Sequence, residues 1–227
     1  MKNLLYKEFK LCMTAPMLIF YAFVCMLLIP SYPYTVAAFF ICNGLYFTFS
    51  QAAADNDLLF TTLLPVSKAD AVKGKLWFVV IMQGLFLLLC VPMILLGNRI
   101  HPDGNPAGAD CSLTLLGGML ILFAIFNAIF LPRYFRESHK SGKHFLIALI
   151  GVFLWVTVFE GILIASSAAG QYIPFFGWIR DNLDAFPKTP GAWTAQGILL
   201  AVCALLYAGA NLLAYQKAAR NFNSVDL

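Results

Sequence analysis

The chain has 227 residues, 61% of them hydrophobic and only 11% charged, with a net charge of +4. Soluble domains carry about 25% charged residues, so this composition excludes an ordinary soluble fold and predicts an integral membrane protein. In a membrane protein the positive excess belongs to span-flanking loops, where it sets orientation, rather than to nucleic-acid binding.

The elements follow in chain order. Residues 1–13 predict an amphipathic interfacial helix. Leu5, Phe9, Cys12 and Met13 share one face, opposite Asn3, Lys7 and Lys10, a pattern suited to the inner membrane surface. A plain cytosolic extension of the first span is the simpler alternative. No A-x-A cleavage site follows the apolar run from Ala15 at the right distance, which predicts an uncleaved first span. Six spans are expected, at 16–30, 34–52, 76–96, 113–130, 145–167 and 192–215, in a single transmembrane domain over 1–227. The first is short against the ~20 residues a bilayer requires. Twelve basic residues, including Lys7, Lys10, Lys68, Lys73, Lys75, Arg133 and Lys217, fall on one side of this scheme. Only Arg99, Arg180 and Lys188 fall on the other. That asymmetry predicts both termini in the cytosol.

Two connections look folded. Between spans two and three, Leu58, Leu59, Phe60, Leu63 and Leu64 are spaced to share one helical face. Asp55 or Asp57 is expected to cap the start. Pro65 ends the helix, because the residue before a proline is pushed out of the α region. Ser67-Lys68-Ala69-Asp70 then has the form of a capping box for the next helix. Between spans five and six, residues 170–190 carry Tyr172, Ile173, Phe175, Phe176, Trp178 and Ile179. They predict a short re-entrant apolar segment, an aromatic interface belt, or both.

Catalytic motifs are missing from the sequence. There is no H-E-x-x-H and no G-x-S-x-G, and His101, His139 and His144 are not spaced as ligands. Gly74-Lys75 and Gly142-Lys143 are followed by Leu76 and His144 rather than Ser or Thr, so no P-loop exists. The six cysteines show no disulfide or metal spacing and read mostly as small buried hydrophobes. No metal site is expected. Glu160 is the one ionisable residue well inside an apolar run, where a charge costs about 2.5–3.5 kcal/mol on insertion scales. Two readings stay open: a pathway, gating or proton-linked residue, or a carboxyl bonded to a neighbouring helix or reaching the outer interface. Asn43, Thr48, Gln83, Asn127 and Asn211 also lie within spans. Such side chains normally bond between helices, and Asn43, Gln83 and Asn127 stand beside Glu160 as pathway candidates. Pro92 marks a site for a kink, and Gly117-Gly118 a site for close helix contact.

This organisation resembles the transmembrane (permease) subunits of bacterial type-2 ABC exporters. The likeness rests on the helix before the first span, the folded inner loop and the apolar segment before the last span. In sequence it rests on Asp57-Leu58-Leu59 with Leu63-Leu64-Pro65-Val66-Ser67-Lys68. In size the chain is similar to the compact permeases of phenol-soluble-modulin and antimicrobial-peptide exporters. The resemblance implies an all-α membrane protein, and implies that the short helix between spans two and three is a cytosolic coupling helix. Asp57 to Ser67 would dock in a groove of a separate ABC ATPase subunit, with Leu58, Leu59, Phe60, Leu63 and Leu64 supplying buried contacts. It further implies a second permease copy, ATP and Mg on the ATPase rather than on this chain, and export of an amphipathic or apolar substrate, a peptide among the options, from a bacterial plasma membrane. A non-transporting membrane scaffold and a secondary transporter working through Glu160 are the alternatives.

Overall fold

The computed structural model describes residues 2–225 apart from Asp103. Met1, Asp226 and Leu227, the ends of the predicted interfacial helix and of the tail, lie outside the described residues. Among the described residues the chain is helical and has no strand. Helix α1 (Lys2–Lys7) runs into a π-helical turn, Glu8–Cys12, and α2 (Ala15–Tyr21) into a 3₁₀ stretch, Ala22–Leu28. Then come α3 (Val36–Ala54), α4 (Asp57–Thr62), α5 (Lys68–Ile100), α6 (Leu113–Tyr134), α7 (Ser141–Ala169), α8 (Pro174–Ile179) with a π turn over Arg180–Asp184, and α9 (Pro190–Asn223).

Five helices (α3, α5, α6, α9, and α7 with the short turn before it) are long and apolar enough to cross a membrane, and α1 and α2 make a sixth only as a bent pair. The bend between Asn3–Cys12 and Ala15–Leu28 is 88°. The first predicted span is therefore no full-length α-helix. Its second half is 3₁₀, which rises faster per residue, so fourteen residues reach roughly 25 Å rather than 21 Å. That remains short of a hydrocarbon core of about 30 Å. The other spans overrun the sequence estimate. At 1.5 Å per residue α5 is roughly 50 Å long, so its ends leave the hydrocarbon or the helix tilts. Pro132, just past the predicted span over 113–130, lies inside α6, and its carbonyl accepts from Asn221 Nδ2 at 2.7 Å. Pro92 likewise sits within an unbroken α5.

Helix α6 is the centre of the bundle. Of its most apolar window 72% is buried, against 17% in α9 and 22% in α7. It packs mainly on α9 and α7. Small residues allow the close contacts. A methyl group at Gly118 would meet the Phe159 ring at 2.5 Å, and one at Gly44 would meet Met17 Sδ at 2.6 Å. Phe49, Phe126, Phe130 and Tyr134 fill the space between α3 and α6 with stacked and edge-on rings. The peripheral α7 and α9 leave large aliphatic side chains uncovered, among them Ile150, Leu154, Leu205 and Leu212. Uncovered apolar faces of this length suit lipid contact.

Candidate functional site

Three polar clusters interrupt the apolar packing. The first lies where α1, α4 and the start of α5 meet. Helix α5 starts where the sequence places it: Ser67 is its N-cap, its Oγ accepts from Asp70 N at 3.1 Å and donates to Asp70 Oδ2 at 2.6 Å. Helix α4 starts differently. Its N-cap is Asn56 in the left-handed region, with no side-chain cap. Neither Asp55 nor Asp57 caps it. Asp55 instead closes α3, exposed, and accepts from Gln51 Nε2 at 3.1 Å. Asp57 is the first residue of α4, where a carboxylate favours the helix dipole. Its side chain turns into the protein.

There it meets Lys7, Glu8 and Lys75 in a closed square of alternating charge. Glu8 Oε1 lies 3.2 Å from Lys7 Nζ, and Glu8 Oε2 lies 2.8 Å from Lys75 Nζ. Asp57 Oδ1 lies 2.6 Å from Lys7 Nζ and Oδ2 2.8 Å from Lys75 Nζ. Lys7 Nζ also donates to Thr61 Oγ1 at 2.6 Å, and Thr61 Oγ1 to Asp57 O at 2.7 Å. Glu8 and Lys75 are each 3% exposed. Burial alone would raise the Asp57 carboxyl, but the ammonium groups of Lys75 and Lys7 outweigh it and hold the group below the usual carboxylate range. Glu8, Cys12 and Asp57 also bring three metal-capable atoms within 4.8 Å of one another. Two ammonium groups already neutralise both carboxylates, so the arrangement is that of an ion-pair junction. The π turn at Glu8–Cys12 makes it possible by aiming both Glu8 and Cys12 inward.

With Asp57, Leu58 and Thr61 anchored inward, the remainder of the short helix faces out. Leu58 is 5% exposed, whereas Phe60 is 62% and Leu63 74% exposed. Leu59 and Leu64 are exposed as well. The expected single apolar face is thus split, because residues 58 and 59 point about 100° apart and only Leu58 shares the side of Thr61. Beside the outward face lies a groove of about 500 Å³ lined by Leu11, Ala52, Asp55, Phe60, Leu63 and Leu64, among others. Pro65 and Ser67 are exposed and Val66 half-buried in the corner that leads into α5.

The second cluster is at mid-bundle. Gln83 and Asn127 exchange paired hydrogen bonds at 2.9 and 2.8 Å. Asn127 Nδ2 also donates to Asn211 Oδ1 at 3.0 Å, and Tyr207 Oη to Gln83 Oε1 at 2.7 Å. These bonds tie α5, α6 and α9 together. Asn43, half-buried on α3, is not among the side chains bonded in this cluster.

The third cluster is at the far end of α3 and α5. Glu160, 5% exposed, accepts from the Thr35 hydroxyl and, at 3.3 Å, from Thr35 N. Its second oxygen accepts from Ala109 N at 2.6 Å. Gly108, at φ 151°, lets the loop come this close; a side chain there would overlap the Glu160 carboxylate. Asp184 Oδ1 accepts from Asp110 N at 3.1 Å, and Gln196 Oε1 from Leu113 N at 3.2 Å. Burial, with the Asp110 and Glu160 carboxylates nearby, pushes the Asp184 carboxyl from 3.8 up to about 7, against the pull of the Asp110 amide.

Residues 3–217 match the family described as ABC-2 family transporter protein. The chain belongs to that family. It is the membrane-embedded permease component of an ABC transporter and crosses the membrane several times. No curated protein and no solved structure matches the chain. In this permease the sequence-predicted residues separate into three groups: Asp57 to Ser67 at one end, Gln83 and Asn127 in the middle, and Glu160 at the other end. Sequence reading missed Glu8 and Lys75 and placed Lys7 on the polar face of α1. The available signal was composition: apart from its neighbour Lys7, Glu8 is the only other charge between Lys2 and Lys10, and it has the opposite sign.

Proposed function

We propose that this permease is the transmembrane subunit of an ATP-driven exporter and that α4 is its coupling helix. One observation carries the reading. The short helix is clamped to α1 and α5 by the Lys7–Glu8–Lys75–Asp57 square, while Leu59, Phe60, Leu63 and Leu64 stay uncovered on its outer side. An apolar helix face presented beside a groove suits helix-in-groove docking by a protein partner. A rigid anchor behind that face suits transmission of force into α5 through the Pro65-Val66 corner.

In this reading the partner is a separate ABC ATPase subunit, which holds the ATP and Mg. Two permease copies pair, identical or not, and both termini lie in the cytosol of a bacterial cell, as the charge asymmetry supports. The 88° bend between α1 and α2 supports a surface-lying α1. The exposed Tyr172, Phe175 and Trp178 around α8 support a segment dipping back into the opposite leaflet. Fixed charges are scarce between the two ends of the bundle, which favours an amphipathic or apolar substrate, with peptides first because of the size likeness to compact peptide exporters. Glu160 and Asp184 act as ties for the outer loop. Leu59→Asp and Phe60→Asp are expected to abolish copurification with the ATPase while membrane insertion and monomer folding stay intact. Normal complex formation by both variants overturns the assignment.

A further inference from the structure

Three lysines enter the first turns of α5, and each is placed differently. Lys75 is buried in the ion-pair square. Lys68 Nζ donates to Val225 O at 2.6 Å and lies over the Phe222 ring. Lys73 is exposed and makes no ion pair among the described residues. It stands at the mouth of a groove of about 470 Å³ between α5 and α9, whose walls include Trp77, Val80, Ala208, Leu212 and Tyr215. That volume is within the range of small-molecule sites.

From Tyr215 back to Tyr207 the groove runs roughly 12 Å along α9. Its deep end holds Tyr207 and Asn211, but these groups are already bonded, to Gln83, to Asn127 and to the Tyr207 carbonyl. Among the described residues a ligand therefore meets a cation without an ion-pair partner at one end and nothing but apolar contact along the body. Trp77 lies one helical turn from Lys73, and Trp and Tyr favour the membrane–water boundary. A comparable groove of about 490 Å³ beside Trp178 and Leu183 has no charged side chain in its lining.

We propose that the α5–α9 groove is a binding site for an anionic phospholipid, with the headgroup phosphate on Lys73 and one acyl chain between Trp77 and Leu212. A lysine at the membrane surface, at the mouth of an apolar groove between spans, attracts an anionic headgroup. The site is distinct from the docking helix and stands whether or not an ATPase binds α4.

The experiment uses the full permease in nanodiscs in which either phosphatidylglycerol or phosphatidylcholine carries bromine on its acyl chains. Trp77 fluorescence is isolated as the difference between the permease and its Trp77→Phe variant. Half-quenching is expected at about fivefold lower mole fraction of the phosphatidylglycerol, the size of preference one surface lysine gives. Lys73→Gln is expected to remove the preference and Lys217→Gln to keep it. Ala208→Phe, which fills the groove from α9, is expected to reduce quenching by either lipid. Free glycerol phosphate is expected not to relieve quenching. Equal quenching by both lipids, a preference that survives in Lys73→Gln, relief by glycerol phosphate, or a Trp77 shielded from both lipids by a second copy each overturns the proposal.

Discussion

At the basic end of the bundle the buried Glu8 and Lys75 pair with the half-buried Lys7 and Asp57, whereas at the opposite end Glu160 and Asp184 are buried with no lysine or arginine in ion-pair contact among the described residues. Both ends face the same problem, the desolvation of charge. The basic end answers with opposite charge: each carboxylate of the square touches both lysines through different oxygens. The other end answers with amide and hydroxyl donors from Thr35, Ala109 and Asp110, and with a carboxyl that holds its proton near neutrality. The difference teaches what each end suits. Mutual charge ties three elements together. Neutral donors on a loop give a tie that protonation adjusts.

The largest test of this contrast is Lys75→Met. It leaves Glu8 and Asp57 sharing Lys7, and breaking a buried pair from one side costs about 3–5 kcal/mol. A thermal melt in detergent is expected to show that loss, and adding Glu8→Gln is expected to recover part of it. A loss no greater than that of an exposed pair, about 1 kcal/mol or less, breaks the comparison.

Next comes the pH response. The folded state keeps the Asp184 proton from about 4 up to about 7, whereas the unfolded chain releases it near 3.8. The folded state therefore binds more protons across that window, and by linkage the folded state gains stability as pH falls from about 7 toward 4. Asp184→Asn keeps an acceptor for Asp110 N and is expected to flatten this slope and to stabilise the protein at pH 8. Melting temperatures across pH 4–8 check it, and an unchanged slope assigns the titration elsewhere.

The smallest expected effect is that of Glu160→Gln. The amide keeps one acceptor oxygen where the carboxylate has two, so either Thr35 or Ala109 N loses its partner, at about 1–3 kcal/mol. A melt without change shows that the tie adds nothing. Transport that fails while the melt stays normal moves Glu160 from tie to pathway.

Much of the fold was legible locally. Apolar runs located the long helices, and the Ser67–Asp70 box located the start of α5, because hydropathy and capping depend on neighbours in sequence. The α4 cap was missed because Asn56 enters the left-handed region without a side-chain bond. The 3₁₀ half of the first span was not legible because hydropathy does not distinguish α from 3₁₀ backbone. Membrane embedding and a short exposed helix before α5 are properties of the sequence by itself. Only tertiary structure decided that Lys7, Glu8, Asp57 and Lys75 close a square, that Glu160 meets a loop 51 residues away, and that Leu58 turns in while Phe60 turns out. The reason is physical. Hydrophobic periodicity records how often a residue meets an apolar neighbour, but a buried charge is stable only beside a specific partner, and that partner is chosen by how the helices pack.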